Sequence, residues 1–331
     1  MVEDCDAANN AISFISDICF LYSLLAQSMD LKQIAYFVEV AERRSFSRAA
    51  EALDVAQPTL SRQVRLLELE LGQHLLYRNG RGVEPTEAGT RLLGHARGLL
   101  HLAERAREDL RTLGDTPAGK VVVGLPPRIA RVLTPPLVAR FRQAFPQASI
   151  AVAEGLSAQV REWVLGGRVD LALLYDPPAT PQISMESLLR EELVLVAATD
   201  AYPALPARVG VAQLSAYPLI LPSLPNAIRT LVEGVCRRAG ARLNVVTEVD
   251  AVQTILELAA QGQACAILPR SAALAWPALA VCRIDTPVIR NRLVLATPRQ
   301  RPATRLADAT AALLRELDLH ALLYGEAAPA A

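Results

Sequence analysis

The sequence lacks net charge, because 34 lysine and arginine residues balance 34 aspartate and glutamate residues. A neutral chain is not drawn to an acidic partner by its overall charge, so nucleic-acid binding must rest on locally segregated charge. The five cysteines are odd in number and lack CxxC spacing, and no two of the four histidines are four residues apart. These absences exclude a disulfide framework and a metal site of common spacing, and they favour a reducing, cytoplasmic environment.

The first 28 residues are apolar but do not have the pattern of a targeting segment. The run AISFISDICFLYSLLA is interrupted by Asp17 and is too short to span a bilayer. No lysine or arginine precedes Lys32, whereas a secretory signal begins with positive charge. We interpret residues 1–28 as a non-native or disordered extension, with Met29 as the working start and no membrane partner. A weak membrane anchor is the alternative.

A chain of 331 residues predicts two or three domains. Three helical patterns follow Met29, namely DLKQIAYFVEVAERR, SFSRAAEALD and AQPTLSRQVRLLELELG. Ser45 or Ser47 can cap the second. The third places an apolar stripe on one face, formed by Leu60, Val64, Leu67 and Leu71. Its opposite face carries groups that hydrogen-bond to base edges and phosphates, which predicts a helix-turn-helix rather than a merely solvated surface helix.

A hairpin is expected directly after these helices. LLYR and GVEP read as short strands, and NGRG between them is a strong turn signal. A hairpin in this position is a wing, and it would present Arg78 and Arg81 to phosphate or to the minor groove. Acidic Glu68 and Glu70 follow later on the third helix, so charge is segregated in a domain that is nearly neutral. That balance predicts reliance on dimerisation.

The stretch FSRAAEALDVAQPTLSRQVRLLELELGQHLLYRNGRGVEPTEAG resembles the winged helix-turn-helix of the LysR-type transcriptional regulators. Variants within it, and LILPSLPNAIR further on, resemble the nitrogen assimilation control subgroup. The resemblance implies that Gln57, Pro58, Ser61 and Arg62 approach the major groove of double-stranded DNA and that Arg81 approaches the backbone or minor groove. The full predicted DNA-contacting set is Ser47, Gln57, Pro58, Thr59, Ser61, Arg62, Arg65, Arg78 and Arg81.

A long helix is predicted from Thr86 to Gly114, with Thr86 as its N-cap. Apolar residues recur along it with alternating gaps of four and three, as in a coiled-coil seam. The predicted dimerisation residues are Leu92, Ala96, Leu99, Ala103, Ala106 and Leu110. A helix that lies only on its own domain is the alternative. A dimer would present two recognition helices to two half-sites, and the resemblance implies a homodimer and often a homotetramer.

Strands alternate with helices over residues 120–322, which predicts an α/β domain with a parallel sheet and helices on both faces. The pattern repeats, so we expect two lobes with crossings near Glu192 and Pro298. Lobe I would comprise residues 120–191 and 298–322, and lobe II residues 192–297. The resemblance implies an effector domain built like a periplasmic binding protein. The predicted fold is therefore a winged helix-turn-helix over residues 29–85, a linker helix over 86–114 and a two-lobed α/β domain.

Ligands of such folds bind between the lobes, near strand carboxyl ends and helix amino ends. Three loops qualify, and they supply the predicted effector residues Pro127, Arg128, Asp176, Ser223 and Asn226. A surface salt bridge is the alternative for Arg128, and helix capping is the alternative for Ser223 and Asn226. The resemblance implies a small-molecule effector, commonly an organic acid.

A two-lobed enzyme, or a solute-binding module with an accessory DNA-binding domain, is the alternative from another class. The sequence has no G-x-S-x-G elbow, and Cys265 falls within a predicted apolar strand. Glu191 and Glu192 are adjacent, so on a strand they point to opposite faces. We therefore predict no catalytic residue, no metal and no cofactor. A purely DNA-bending protein would not need the large second half. The favoured function is a LysR-type regulator, in which an effector changes the angle between dimers and contact with RNA polymerase.

Overall fold

The computed structural model describes residues 29–79, 82–111, 119–200, 205–299 and 303–325. The predicted extension over residues 1–28 and the wing residue Arg81 lie outside these ranges. The chain divides into two compact units, one ending at Ala103 and the other beginning at Glu104. No helix in the described ranges is both long and apolar enough to cross a membrane.

The first unit contains four helices and a hairpin in the described ranges. They are α1 (Leu31–Arg43), α2 (Phe46–Ala52), α3 (Gln57–Leu71), β1 (Leu76–Asn79), β2 (Gly82–Pro85) and α4 (Glu87–Arg111), whose last turns belong to the second unit. Asp30 caps α1 by accepting a hydrogen bond from the Lys32 amide. Ser45, one of the two predicted caps, accepts from the Arg48 amide and begins α2. The helix-turn-helix and its wing lie where the periodicity predicted them.

The core of the first unit joins the apolar faces of α1, α2 and α3. Leu60, Val64 and Leu67 are completely buried, as their spacing predicts. Ala49 and Ala50 are buried in the same cluster, where small side chains let α2 approach its neighbours. Leu71 was expected on the same stripe but is 36% exposed, because α3 ends there at Gly72 in the left-handed conformation.

Helix α4 begins after Thr86, whose hydroxyl accepts a hydrogen bond from the Gly89 amide. The predicted dimerisation residues of this helix do not share one environment. Ala96 is fully buried in the core of its own unit and Leu92 packs against that core, whereas Leu99 is 39% exposed. The assignment of Ala96 to a dimer surface was therefore wrong, since a seven-residue repeat alone does not separate burial against the same chain from burial against a second copy. The side chain of Leu110 lies outside the described residues.

The second unit has two lobes. Lobe I contains β3 (Gly119–Leu125), α5 (Pro127–Ala144), β4 (Ala148–Glu154), α6 (Ser157–Gly166), β5 (Leu171–Tyr175), the first part of β6 (Ile183–Ala198), β12 (Arg290–Pro298), α10 (Arg305–Glu316) and α11 (Leu319–Tyr324). Lobe II contains the rest of β6, β7 (Arg208–Gly210), a 3₁₀ helix (Val211–Ala216), β8 (Pro218–Leu221), α7 (Ala227–Arg238), β9 (Asn244–Glu248), α8 (Val252–Ala260), β10 (Cys265–Pro269), α9 (Arg270–Leu274) and β11 (Leu279–Asp285). Each lobe buries an apolar cluster on both faces of its strands.

The sheet is mixed rather than purely parallel. Strand β3 is parallel to β4 and β5, and β8 is parallel to β9 and β10, as predicted. However, β12 is antiparallel to both β5 and β6, and β6 is antiparallel to β10 and β11. The chain leaves lobe I along β6 and returns along β12, so these two strands run in opposite directions. The expected parallel order therefore holds only within each lobe.

The two lobes are joined where β6 changes its partners. Ile183–Glu192 pairs with β12, and the part from Leu193 onward pairs with strands of lobe II. The first crossing is thus at Glu192, where the sequence placed it. The second was placed too late, near Pro298, because the whole of β12 from Arg290 onward already pairs within lobe I. The apolar residues of β12 would suit a buried strand in either lobe. The sequence alone therefore does not show that the boundary between the lobes lies before Arg290.

Candidate DNA-binding surface and interlobe site

The first half of α3 presents a polar, exposed face. Ala56 precedes the helix and provides no side-chain cap, and Pro58 lies in the first turn. The exposed predicted residues on α3 are Gln57, Pro58, Thr59, Arg62 and Arg65, and Ser61 is half-buried among them. The first-turn amides that no side chain caps add partial positive charge at the same end. This end of α3 can therefore attract and hydrogen-bond an anion such as a phosphate.

The charge on α3 is segregated as the sequence indicated. In the described part of the unit, Arg62 and Arg65 form neither a salt bridge nor a side-chain hydrogen bond. Glu68 instead accepts hydrogen bonds from the amides of Leu75 and Leu76, at 2.8 and 3.2 Å. Its carboxylate therefore holds the start of the wing and leaves the cationic end of the helix unopposed.

The wing is tied to the helices at both strands. Arg78 on β1 donates to the Ser61 hydroxyl at 3.2 Å, and its guanidinium lies 4.7 Å from the centre of the Phe46 ring. The amide of Val83 on β2 donates to the Arg44 carbonyl. Arg78 thus links β1 to the exposed face of α3. Ser47 is exposed on α2, and none of its contacts indicates a role.

A buried charged cluster, which we call the interlobe cluster, joins the two lobes. It consists of Arg128 at the start of α5, Tyr175 at the end of β5, Glu191 on β6 and Ser271 on α9. Arg128 donates to the two Glu191 oxygens at 2.9 and 3.0 Å, to the Tyr175 hydroxyl at 2.8 Å and to the Ser271 hydroxyl. Tyr175 and Ser271 also donate to Glu191. Lobe I and lobe II therefore share one hydrogen-bond network around the carboxylate of β6.

The electrostatics of this cluster favour a charged Arg128 and a neutral Tyr175. Burial alone would lower the pKa of Arg128, but contacts with Tyr175 and Glu191 raise it above its ordinary value. Burial raises the pKa of Tyr175 far above its usual range, and the neighbouring Glu191 adds to that rise. Arg128 is thus a permanent cation whose charge is already balanced by the chain's own carboxylate.

The predicted effector residues have different surroundings. The Asp176 carboxylate accepts from the Arg292 amide, and burial raises its pKa while that bond and the Arg292 charge oppose the rise. Asn226 caps α7 by accepting from the Ile228 amide. The Ser223 amide donates to Asp250, and Pro127 is exposed in the first turn of α5. Of the five, Arg128 alone belongs to the interlobe cluster.

One further polar residue beside this cluster is not among those predicted from the sequence. Asn291 on β12 lies directly opposite Glu191 on β6, and it is 1% exposed. Residues directly opposite in an antiparallel pair present their side chains to the same face, with Cβ atoms about 5 Å apart. Both the Oδ1 and the Nδ2 of Asn291 are buried without a hydrogen-bond partner in the described structure. Buried carboxamides are nearly always satisfied, so this one requires an explanation.

Some signals in the sequence point to these residues. Glu191 has the same strand parity as Leu193 and Leu195, which face a core, and a charge on a core face needs a partner. Asn291 and Leu293 share a face of β12 in the same way. Tyr175 and Ser271 carry no comparable signal, because nothing in the local pattern identifies their distant partners.

The described residues contain no cluster of histidine, cysteine, aspartate and glutamate suited to a metal ion. Cys236, Cys265 and Cys282 are buried, and burial raises the pKa of the Cys236 and Cys282 thiols, which makes them less reactive. Cys265 lies within β10, as the apolar run predicts. Glu191 is buried while Glu192 bonds to Arg283 and Arg290, so the two carboxylates do point to opposite faces.

Comparisons with known proteins agree with both units. Residues 31–90 match the family model described as "Bacterial regulatory helix-turn-helix protein, lysR family", and residues 114–318 match "LysR substrate binding domain". The nitrogen assimilation regulatory protein nac of Escherichia coli is 34% identical over 295 residues, covering 86% of this chain and 94% of the relative. The nac protein of Klebsiella aerogenes is 32% identical over 293 residues, covering 87% and 95%.

Solved structures give the same architecture. Full-length CbnR in complex with its target DNA is similar with a TM-score of 0.63 and 25% identity, over 87% of this chain and 99% of that one. A full-length OxyR variant from Pseudomonas aeruginosa is similar with the same TM-score and identity, over 86% and 95%.

Proposed function

The chain belongs to the LysR family of transcriptional regulators and is a DNA-binding protein with a substrate-binding domain, and we propose that the first half of α3 reads its operator. Gln57, Thr59 and Arg62 would reach base edges in the major groove. The amides of the first turn and Arg65 would contact phosphates. Ser61 and Arg78, bonded to each other, would set the distance between α3 and the wing, and Arg81 would contact the backbone.

The observation that carries this proposal is the cationic end of α3. Arg62 and Arg65 are exposed there without a partner in the described unit, while the nearby Glu68 is bonded to the wing backbone. Arginine is the residue that most commonly reads guanine, through a bidentate pair of hydrogen bonds. On a helix face that is only solvated, Glu68 would be expected to pair with a nearby arginine. Here it bonds to the wing backbone instead.

Selection from a random pool of duplexes at two salt concentrations tests this proposal. The full chain should recover an interrupted inverted repeat, and its preference for that repeat should survive the higher salt. Recovery of no motif, with binding that vanishes at modest salt, would leave only phosphate attraction and would contradict sequence-specific reading.

Dimerisation through α4 is the second part of the proposal. Leu99 and Leu102 are 39% and 43% exposed on this helix, and Ala106 one turn later is also exposed. Covering these side chains with the same helix of a second copy would remove apolar surface from water. Two copies would present two α3 helices to two half-sites, which compensates for the small net charge of one DNA-binding unit. Further pairing would give a tetramer.

The second unit would bind a small effector between its lobes and thereby alter how the assembled protein contacts RNA polymerase in the cytoplasm. An effector can do this only if it binds one arrangement of the lobes better than another. The interlobe cluster supports this location, because it already joins residues of both lobes. An organic acid was the expected effector, but pairing of Arg128 with Glu191 removes the physical reason for that choice.

A further inference from the structure

The interlobe cluster leaves little of Arg128 for an anionic ligand. Arginine has five N–H donors, and the guanidinium of Arg128 makes four hydrogen bonds, to both Glu191 oxygens, Tyr175 and Ser271. Its two terminal nitrogens form the planar fork that recognises a carboxylate, and Glu191 already occupies that fork. A carboxylate ligand would also place a second negative charge beside Glu191 in a poorly solvated position.

Asn291, unlike Arg128, has hydrogen-bonding groups without a partner in the described structure. Its carboxamide is buried, has a free donor and a free acceptor, and shares a face with Glu191 at the level where β6 passes between the lobes. A carboxamide is best satisfied by a neutral group that has its own donor and acceptor side by side. Such a group would complete the hydrogen bonding of Asn291 without adding charge to a neutralised cluster.

We propose that Asn291 is the specificity-determining residue of the interlobe site and that it selects a small neutral molecule with adjoining donor and acceptor, as in a primary amide or urea. The inference rests on the proposed function, since it assigns a ligand class to the effector-binding unit. Glu191 also favours a neutral ligand, because its carboxylate occupies the position on Arg128 that an acidic ligand would take. Asn291 would donate to the ligand carbonyl and accept from the ligand N–H.

Matched pairs of amides and carboxylates test this assignment on the full chain. The probes are propionamide with propionate, benzamide with benzoate, and succinamide with succinate, each at about 10 mM, where a ligand that binds only the folded state raises the unfolding temperature. At least one amide should raise the unfolding midpoint by about 2 °C or more, and its carboxylate partner should bind at least about tenfold more weakly. Binding by carboxylates alone, or by none of the probes, would overturn the proposal.

The variant Asn291→Leu identifies the residue responsible. It should abolish the amide shift, and without probe it should unfold at or above the wild-type temperature, because it removes a buried donor and acceptor that have no partner. An amide shift that persists in this variant would place binding elsewhere. A clear loss of stability without probe would mean that the carboxamide is already satisfied, for example by a fixed water, and would equally overturn the proposal.

The variant Glu191→Gln tests whether the Glu191 carboxylate excludes acidic ligands from Arg128. Once the fork of Arg128 is no longer neutralised, carboxylates should bind about tenfold more tightly than to the wild type. An unchanged preference would contradict the role given to Glu191, and Asn291→Leu decides the proposal if this variant does not fold. Failure of all the probes would leave DNA binding untouched, because the duplex selection is made without any of them.

Discussion

Gly89 of α4 lies against the carbonyl of Leu75, so closely that a Cβ atom on Gly89 would be 2.0 Å from that oxygen. The same carbonyl accepts a hydrogen bond from the Thr86 amide, and the Thr86 hydroxyl donates to the His74 carbonyl. The backbone before β1 therefore meets the first turn of α4 at a position that only glycine permits. This contact fixes the direction in which α4 leaves the wing.

The variant Gly89→Ala should lower the free energy of unfolding by about 1–3 kcal/mol, since either the helix or the wing must shift to accept the methyl group. Gly94→Ala is the matched control on the same helix, because a Cβ atom there meets nothing within 4 Å. It should raise that free energy by up to about 1 kcal/mol through improved helix propensity. Urea denaturation of both variants measures the difference, and equal effects would contradict the close approach.

The variant Arg62→Ala should weaken binding to the selected operator by about 1–3 kcal/mol and relax the preference at one base pair, because a base contact contributes specificity. Arg140→Ala, which removes an exposed arginine from the second unit, controls for the loss of one positive charge. Titration of operator and scrambled duplexes measures both variants. Equal weakening on the two duplexes would make Arg62 a phosphate contact instead.

The variant Leu99→Asp should reduce the mass of the protein in solution by half or more, because a charge in an apolar helix pair opposes association. Leu69→Asp is the control, since Leu69 is a more exposed leucine on α3, outside the linker helix. Light scattering at several concentrations gives the mass of each variant. A mass for Leu99→Asp equal to that of the wild type would rule out this face of α4 as the dimer surface.

The variant Asp170→Asn should lower the free energy of unfolding by about 3–5 kcal/mol, the usual cost of breaking a buried ion pair. The Oδ1 atom of Asp170 lies 3.2 Å from the Nε atom of Arg105 near the end of α4, and both side chains are almost inaccessible. The Oδ2 atom of Asp170 accepts a hydrogen bond from the Val122 amide. Asparagine can keep that backbone bond but leaves the Arg105 charge without its carboxylate.

The exposed pair of Glu186 and Arg315 has a similar separation of 2.9 Å and provides the control. Glu186→Gln should change the free energy of unfolding by at most about 1 kcal/mol, because water screens this pair. Denaturant titration of both variants compares them directly. Similar losses would mean that burial does not govern the strength of the Arg105 pair.

The sequence determines the local elements well and the long-range contacts poorly. The spacing of Leu60, Val64 and Leu67 defines the buried face of α3 whatever its neighbours are, so that prediction is confirmed. The pairing of Arg128 with Glu191 depends on the order of β5, β12 and β6 in the sheet of lobe I, and no local pattern specifies that order. For Asn226 the capping alternative describes its observed contact. The seam residue Ala96 was assigned to the wrong partner, because periodicity gives a face but not what covers it.

The continuity of strand β6 determines how the two lobes of the second unit can move relative to each other. A single strand of 16 residues carries the ladder of lobe I up to Glu192 and that of lobe II from Leu193 onward. Rotation of one lobe against the other must therefore twist a strand that is hydrogen-bonded on both sides of the crossing. Such a strand resists twisting more than a flexible loop would. Glu191 lies two residues before Leu193, where the pairing with lobe II begins. Small rotations of the lobes would thus move Ser271 of lobe II relative to Arg128 and Glu191 of lobe I before any loop needs to open.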